Sequence, residues 1–139
     1  DRAISVGNLP RRPSYTSELK LFGYATGLDP QNPWSAYGSN IKHIKQIARS
    51  NPQLKKKLSQ SLPYTFAHVQ WAIDHEMARS VEDVLSRRTR LLLLDAPAAV
   101  NIAPEVARFM ACRLKRSKKW EQQQLSHFSK LAQSMYPQH

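Results

Sequence analysis

The sequence predicts an all-α fold, a small multi-helix orthogonal bundle with an extended N-terminal arm. From residue 39 onward, apolar residues recur at the three- and four-residue spacing of helices with one buried face. We find no convincing strand pattern beyond the arm. All four glycines and four of the nine prolines lie in residues 1–38, so the residues that interrupt regular structure precede the helical pattern.

Residues 1–38 are predicted to be an extended arm, a linker that lies on another surface. Pro10, Pro13, Pro30 and Pro33 interrupt any long helix. Leu19 and Leu21 alternate with Lys20, so residues 15–24 are predicted to form one short extended segment. An arm of this length without its own core needs a partner, and the chain therefore resembles a piece of something longer.

The first two helices of the predicted domain follow directly. Ser39 or Asn40 is placed to cap a helix whose apolar face is formed by Ile41, Ile44, Ile47 and Ala48. Asn51 and Pro52 end this helix and begin a short one that carries Leu54 and Leu58, spaced i to i+4.

The next helix has two apolar sides. Thr65 is its predicted cap, and its main stripe consists of Phe66, Val69, Ile73 and Met77. Trp71 falls opposite that stripe. The indole therefore either belongs to a second buried surface, such as a domain contact, or is covered by the arm.

Three further helices complete the domain. Ser80 and Asp83 resemble a capping arrangement for a helix that begins at Val81 and buries Val84 and Leu85, with Asp83 and Arg87 spaced for an ion pair. Asp95 is the predicted cap of the next helix, in which Pro97 lies in the first turn and Pro104 kinks or restarts the chain. Ser117 is the predicted cap of the last helix. The predicted apolar faces of these last two helices are Ile102, Val106, Phe109, Met110 and Leu114, then Trp120, Leu125, Phe128, Leu131, Ala132 and Met135.

The charge is strongly positive and unevenly spread. The formal net charge is +11, and no acid lies between Asp29 and Asp74 or between Glu105 and Glu121. Such surfaces suit nucleic acid, anionic lipid or an acidic domain, or are simply solvated. Nucleic acid is not favoured, because no zinc-finger spacing, RNA-binding signature or basic heptad is present. The sequence shows no membrane span or signal peptide, and its single cysteine weakly favours a reducing compartment.

Catalytic motifs are missing from the sequence. His75 and Glu76 begin like a zinc-protease helix, but Arg79 stands where the second histidine belongs. His68 and His75 are therefore interpreted as ordinary surface or packing residues, and Cys112 as a small core residue. No glycine follows Gly38, so no glycine-rich phosphate loop can form. The residues alone indicate a basic helical module without a catalytic centre.

Residues 64–99 carry a resemblance to a known family. The stretch is YTFAHVQWAIDHEMARSVEDVLSRRTRLLLLDAPAA. It closely resembles the C-terminal domain of FAD-dependent glycerol-3-phosphate dehydrogenases, the aerobic, quinone-linked kind. The matching motifs are Tyr64-Thr65, Trp71-Ala72, His75-Glu76-Met77-Ala78-Arg79, Glu82-Asp83-Val84-Leu85, Arg87-Arg88-Thr89-Arg90 and Leu94-Asp95-Ala96, with Tyr37-Gly38-Ser39 upstream and Pro104 to Met110 downstream.

The resemblance implies that this chain is one domain of a longer enzyme and that another domain carries the catalytic site. That enzyme would bind FAD in an N-terminal Rossmann-like domain and oxidise sn-glycerol 3-phosphate to dihydroxyacetone phosphate, passing electrons to FAD and on to a quinone. The sequence does not distinguish such a dehydrogenase from an oxidase of similar architecture that uses oxygen. Residues 39–136 would form a helical cap on this FAD domain, joined to it by residues 1–38. No residue of the chain inherits a catalytic, cofactor-binding or metal-binding role. Peripheral membrane contact and a homodimer stay open, and the implied location is cytoplasmic, at the inner face of the plasma membrane.

Four residues are candidates for docking this domain to its neighbour: Trp71, Arg87, Arg88 and Arg90. The three arginines surround Thr89 near a helix end. They can bond a neighbouring domain, complement the helix dipole, or pair within the domain with Glu76, Glu82 or Asp83. The alternative function is a free-standing basic helical module that binds nucleic acid or an anionic surface.

Overall fold

The computed structural model describes residues 2–135, so the predicted domain end at residue 136 lies outside the described residues. Within them the fold is all-α, as predicted, with one isolated bridge between Lys57 and Thr65. The α-helices are α1 (Arg2–Val6), α2 (Ile41–Ser50), α3 (Phe66–His75), α4 (Leu91–Leu94), α5 (Ala96–Arg113) and α6 (Lys118–Met135). Pro33–Asn40 and Pro52–Lys55 are 3₁₀-helices, and Asp83–Arg88 is a π-helix.

One hydrophobic core joins these helices. α5 packs against α6, α4 and α3, and α3 packs against α2. Ile44 of α2, Val69 of α3 and Met110 of α5 are fully buried, together with Leu85 of the π-helix and Leu91 of α4. The predicted apolar faces of α2, α5 and α6 all contribute to this core or pack against it, except for Met135 at the exposed end of α6.

The start of α2 differs from the predicted cap. α2 begins at Ile41, but Asn40 is itself helical and its side chain makes no capping bond. The reason is that Pro33–Asn40 already forms a 3₁₀-helix, so the chain enters α2 from a helical conformation. This 3₁₀-helix also spans the domain boundary predicted at residue 38, which stays a prediction. The short helix after Asn51 is confirmed, and it buries Leu54 while Leu58 is buried beyond its end.

The main stripe of α3 ends before its last predicted member. Phe66, Val69 and Ile73 are buried, and Thr65 caps the helix as predicted. Met77 is not part of the stripe, because α3 ends at His75 and Met77 has a left-handed φ of 57°. A left-handed residue just after a helix turns the chain away from the axis. The side chain of Met77 is consequently 79% exposed.

The helix predicted from Val81 is present, but most of it is a π-helix. The capping pair is confirmed, since the Asp83 N–H donates to Ser80 Oγ at 3.1 Å and the Ser80 N–H donates to Asp83 Oδ2 at 2.9 Å. Val84 and Leu85 are buried as predicted. The wider turn closes where the Thr89 N–H donates to the Val84 carbonyl at 2.9 Å.

α5 and α6 follow the sequence pattern closely. Asp95 Oδ1 accepts a bond from the Ala98 N–H at 3.2 Å, and Ser117 Oγ accepts one from the Trp120 N–H at 3.3 Å, so both caps are confirmed. α5 continues through Pro104 without restarting. Cys112 is exposed rather than a core residue, because it lies beside the buried stripe that contains Met110.

The arm contains turns and a short helix instead of the predicted extended segment. α1 occupies Arg2–Val6, ahead of the first proline. Residues 15–24 form turns, because the Glu18 N–H donates to the Tyr15 carbonyl and the Tyr24 N–H donates to the Leu21 carbonyl. The arm meets the helical region where the Ser39 N–H donates to the Gly23 carbonyl at 3.0 Å. Many of its large apolar side chains are exposed: Val6, Leu9, Tyr15, Leu19, Leu21, Phe22, Tyr24 and Leu28.

Candidate functional site

Trp71 lies in a stack of aromatic rings that ends on the arm. The His75 ring lies 4.0 Å from the indole, measured between centroids, and the His43 ring lies 6.0 Å away. Phe22 of the arm is parallel to the indole at 6.4 Å. The indole is 3% exposed. The arm therefore contributes to the cover of Trp71 together with His43 and His75, and a contact of Trp71 with another domain stays a prediction.

Glu76 connects this stack to the π-helix. The Trp71 indole N–H donates to Glu76 Oε1 at 2.9 Å. Arg88 donates from Nη2 to the Glu76 carbonyl at 2.7 Å, and its Nε lies 3.6 Å from Glu76 Oε2. Glu76 thus links Trp71 of α3 to Arg88, which lies twelve residues after Glu76 in the sequence.

A group of buried rings lies next to this carboxylate. Burial is the main cause that raises the pKa of the Tyr37 hydroxyl, and the negative charge of Glu76 raises it further while Arg88 opposes the shift. Burial also raises the pKa of Tyr64, where the positive charge of Arg90 acts in the opposite direction.

His68 stands at the centre of the buried rings. Its ring makes edge contacts with Trp34 at 4.6 Å, Tyr37 at 5.2 Å and Tyr64 at 5.3 Å. Its Nδ1 accepts a bond from the Thr65 N–H at 3.0 Å, so the proton of the neutral ring is on Nε2. Burial lowers the pKa of His68 to about 4. The prediction of a packing residue is confirmed for His68.

Arg87 is occupied within its own helical segment. Its Nη2 lies 2.6 Å from Glu82 Oε1 and its Nη1 lies 3.0 Å from Asp83 Oδ1, which confirms the predicted i to i+4 pair. Exposed pairs of this kind stabilise a helix by about 0.3–0.5 kcal/mol. The charge of Arg87 is therefore satisfied locally.

Arg90 differs from the other two arginines. It has a left-handed φ of 55°. Its guanidinium makes no hydrogen bond or ion pair with any of residues 2–135. Thr89, the residue before it, is buried and donates its hydroxyl to the Val84 carbonyl at 2.8 Å, which fixes the backbone that presents Arg90.

Two features of the described residues bear on catalysis, namely whether side chains group to hold a metal ion and which polar side chains share a groove. Among residues 2–135, no cluster of three or more histidine, cysteine or acidic side chains could hold a metal ion. A groove of about 580 Å³ beside Trp71 is lined by His43, His75 and Arg113 among others, but no carboxylate lines it. It therefore offers no paired acid and base. No helix within these residues is both long and apolar enough to span a membrane.

Sequence reasoning named Trp71, Arg87, Arg88 and Arg90 and gave Glu76 as a possible partner of the arginines, but it missed the bond from Trp71 to Glu76. The structure brings Trp71 and Arg88 together through Glu76, and it leaves Arg87 and Arg90 apart from that network. Tyr37 was noted only as part of a motif, and His68 only as a packing residue. A signal for His68 was available, because it occupies the third helical position after Thr65, where a side chain completes a capping box.

We expect the substitution Glu76→Ala to destabilise the chain by about 2 kcal/mol. The substitution leaves the buried Trp71 indole N–H without its acceptor, and a buried unpaired donor costs about 1–3 kcal/mol. It also removes the carboxylate beside Arg88. Unfolding in urea measures the loss of unfolding free energy. Faster exchange of the Trp71 indole proton in NMR spectra shows that the loss arises at the bond between Trp71 and Glu76.

Glu105→Ala is the matched control for this experiment. Glu105 also pairs with a cation, Lys56, but both side chains are about half exposed. Exposed pairs contribute about 0–1 kcal/mol. If Glu76→Ala costs no more than Glu105→Ala, Glu76 does not support the Trp71 indole in solution.

Comparison with known proteins identifies relatives of one kind. The family model for the C-terminal domain of alpha-glycerophosphate oxidase matches residues 30–124. A probable mitochondrial glycerol-3-phosphate dehydrogenase of Dictyostelium discoideum is 30% identical over 100 residues, which cover 72% of this chain and 16% of that protein. A mitochondrial glycerol-3-phosphate dehydrogenase of Arabidopsis thaliana is 32% identical over 90 residues, which cover 65% of this chain and 14% of that protein.

The chain thus spans about one sixth of the length of these curated relatives. No solved structure gives a significant match. The family match begins in the arm, shortly before the 3₁₀-helix Pro33–Asn40, and ends within α6, so it includes Glu76 and all four candidate docking residues.

Proposed function

Because the chain belongs to the family of the C-terminal domain of alpha-glycerophosphate oxidase, we propose that it is the non-catalytic helical domain of a flavoenzyme. The enzyme would oxidise sn-glycerol 3-phosphate to dihydroxyacetone phosphate. The observation that carries this proposal is the family match over residues 30–124, supported by two relatives whose names give glycerol-3-phosphate dehydrogenase activity. The described residues supply no catalytic constellation of their own, which fits an accessory role.

FAD would be held by the N-terminal part of the intact polypeptide. The described residues do not fit this cofactor, since no glycine follows Gly38 in the sequence and no strand among residues 2–135 could lead into a phosphate-binding turn. A C-terminal domain implies an N-terminal partner domain in the same enzyme. We assign the flavin and the substrate to that partner, and no step of the reaction to this chain.

The proposed electron acceptor is a quinone, and the proposed location is peripheral to the membrane that contains it. The inner face of the plasma membrane is the location that the sequence predicts. A mitochondrial location is what the names of the two relatives state for those proteins. Oxygen as the acceptor is the alternative in which the enzyme works as an oxidase.

The competing proposal, a free-standing basic module for nucleic acid or an anionic surface, depends on the net charge of +11. Several of the cations that contribute to it are paired inside the chain, which leaves the net charge itself unchanged. Lys56 pairs with Glu105, Arg113 with Asp74, and Lys118 with Glu121. Titration with DNA at two salt concentrations tests this alternative, because binding driven by phosphate contacts weakens steeply as salt rises.

The intact native polypeptide gives the decisive test. Its mass and visible absorption spectrum are recorded, and sn-glycerol 3-phosphate is then added without oxygen. We expect a protein several times larger than this chain whose flavin absorption bleaches with sn-glycerol 3-phosphate but not with glycerol, which lacks the phosphate. A colourless protein, or a flavin that stays oxidised with the substrate, would contradict the proposal.

A further inference from the structure

We propose that one corner of this domain docks against the N-terminal part of its own polypeptide, and that the surface it meets is apolar with acidic residues at its edge. The docking corner consists of Met77, Arg88, Arg90 and Leu94, because Arg88 bonds the carbonyl of Glu76, the residue before Met77, and the Leu94 N–H bonds the Arg90 carbonyl. The inference rests on the proposed function, because it takes the chain to be one domain of a longer enzyme.

The backbone at the docking corner is held in an uncommon conformation. Met77 and Arg90 are both left-handed, with φ of 57° and 55°, although neither is glycine. They flank the π-helix Asp83–Arg88 on either side. Left-handed non-glycine residues cost free energy and cluster at functional sites, and π-helices are frequent at such sites. Met77 follows the end of α3 and Arg90 follows the end of the π-helix, so each left-handed residue turns the chain at a helix end and leaves its side chain exposed.

Apolar surface at the docking corner is exposed on both sides of the π-helix. Met77 is 79% exposed, although the apolar residues before it on α3 are buried. Leu94, at the end of α4, is 60% exposed, although Leu91 and Leu92 of the same helix are fully buried. Methionine is a flexible side chain that suits contact with a second surface.

The charge of the docking corner is positive and is only partly used inside the domain. Arg90 has no ion pair within residues 2–135, and the side chain of Arg88 stays 46% exposed beside Glu76. Arg87 is not part of the corner, because Glu82 and Asp83 satisfy it. The Arg90 guanidinium, unpaired among the described residues, and the half-exposed Arg88 guanidinium lie next to apolar side chains, and they match a partner with acidic residues around an apolar centre.

The occupant is inferred from the arm and from the length of the relatives. Phe22 of the arm lies on Trp71, and the Trp71 indole bonds Glu76, the residue before Met77. Phe22 of the arm is thus connected to the residue before Met77 through the buried Trp71 indole. Both the arm and the docking corner expose apolar side chains, and exposed apolar surface of this kind marks an interaction site. Since the chain spans about one sixth of its relatives, a partner large enough to cover both the arm and the corner belongs to the same kind of polypeptide.

The test uses the intact polypeptide with Met77→Asp and Arg90→Glu combined. Aspartate tolerates a left-handed backbone, so the change at Met77 adds repulsion without new strain. The control is Lys130→Glu, a charge reversal at an exposed position of α6. Trypsin cleavage after Arg11 and after Lys20 of the arm is followed by mass spectrometry. We expect about tenfold faster cleavage in the double variant, the effect of about 1.4 kcal/mol of lost docking energy, and wild-type rates in the control.

Two further measurements keep the proposal falsifiable. Met77→Asn, which adds no charge, should accelerate cleavage by a smaller factor, and flavin content and bleaching should match the wild type in every variant. Equal cleavage rates in the double variant and in Lys130→Glu overturn the docking corner while the proposed function stands. A wild-type protein without flavin overturns the proposed function instead. Faster cleavage that occurs only with loss of a dimer in sedimentation makes the occupant a second copy and overturns the proposal.

Discussion

Replacing Gly38 by alanine is expected to detach the arm from the helical region and to cost about 2–4 kcal/mol. Gly38 has φ of 53° and ψ of −130°, a conformation that residues with a Cβ avoid, at a cost of about 1–3 kcal/mol. A Cβ at this position would lie 1.8 Å from the Gly23 carbonyl oxygen. The two backbones must separate, which breaks the bond from the Ser39 N–H to Gly23 and moves Phe22 away from Trp71.

The matched control for Gly38→Ala is Gly27→Ala. Gly27 also has a positive φ, of 67°, but no atom lies within 4 Å of the position where its Cβ would be. We expect it to cost about 1 kcal/mol, from backbone conformation alone. Urea unfolding gives both free energies, and hydrogen exchange of residues 21–24 reports release of the arm. Equal costs, or an unchanged exchange rate in Gly38→Ala, would show that the arm does not cross Gly38 in solution.

Helix positions were predictable because they depend on local chemistry. The caps at Thr65, Asp95 and Ser117 are short side chains next to the backbone groups that they bond, so three or four residues of sequence contain the whole interaction. The apolar period then places the buried faces of α2, α5 and α6. Neither property depends on the rest of the fold.

The sequence-based predictions are wrong where the backbone conformation, rather than the pattern of apolar side chains, decides the structure. Met77 has the right spacing for the α3 stripe, but the helix ends before it, and the Ala78 N–H donates back to the Ala72 carbonyl across the left-handed residue. The π-helix has the same apolar spacing as an α-helix over its short length. The alternation of Leu19 and Leu21 suggested an extended segment, but no second strand pairs with it among the described residues, and turns form instead.

The residues of the candidate site were predictable from the sequence, but the contacts between them were not. The family motifs identify Arg88 and Trp71 but not their connection. The Glu76 carboxylate connects them, because it accepts a hydrogen bond from the Trp71 indole and forms an ion pair with Arg88. Tyr37 and His68 come from different helical segments, and only the fold brings their rings into contact at 5.2 Å. Sequence spacing does not contain such contacts, whereas the ion pair of Arg87 with Asp83, four residues apart, was predictable.

Acidification is expected to destabilise the chain through His68. The pKa of this histidine is about 4 in the folded chain and ordinarily 6.5, because burial disfavours its charged form. Between these two values the unfolded chain binds a proton that the folded chain does not. The free energy of unfolding therefore falls as pH is lowered from 6.5 to about 4, by about 3 kcal/mol in total. Above pH 6.5 this contribution is constant.

The variant His68→Asn isolates this effect. Asparagine retains an acceptor near the position of Nδ1, which bonds the Thr65 N–H, but it does not titrate. Asp83 and Asp95, whose pKa values are lowered by hydrogen bonds despite opposing desolvation at Asp83, also lose stability in acid, but they do so equally in both proteins. The difference between the two curves of unfolding free energy against pH should have a slope of about 1.4 kcal/mol per pH unit between pH 4.5 and 6. Parallel curves would mean that the rings of Trp34, Tyr37 and Tyr64 admit water to His68. In that case the ring cluster beside the docking corner would not be a rigid support.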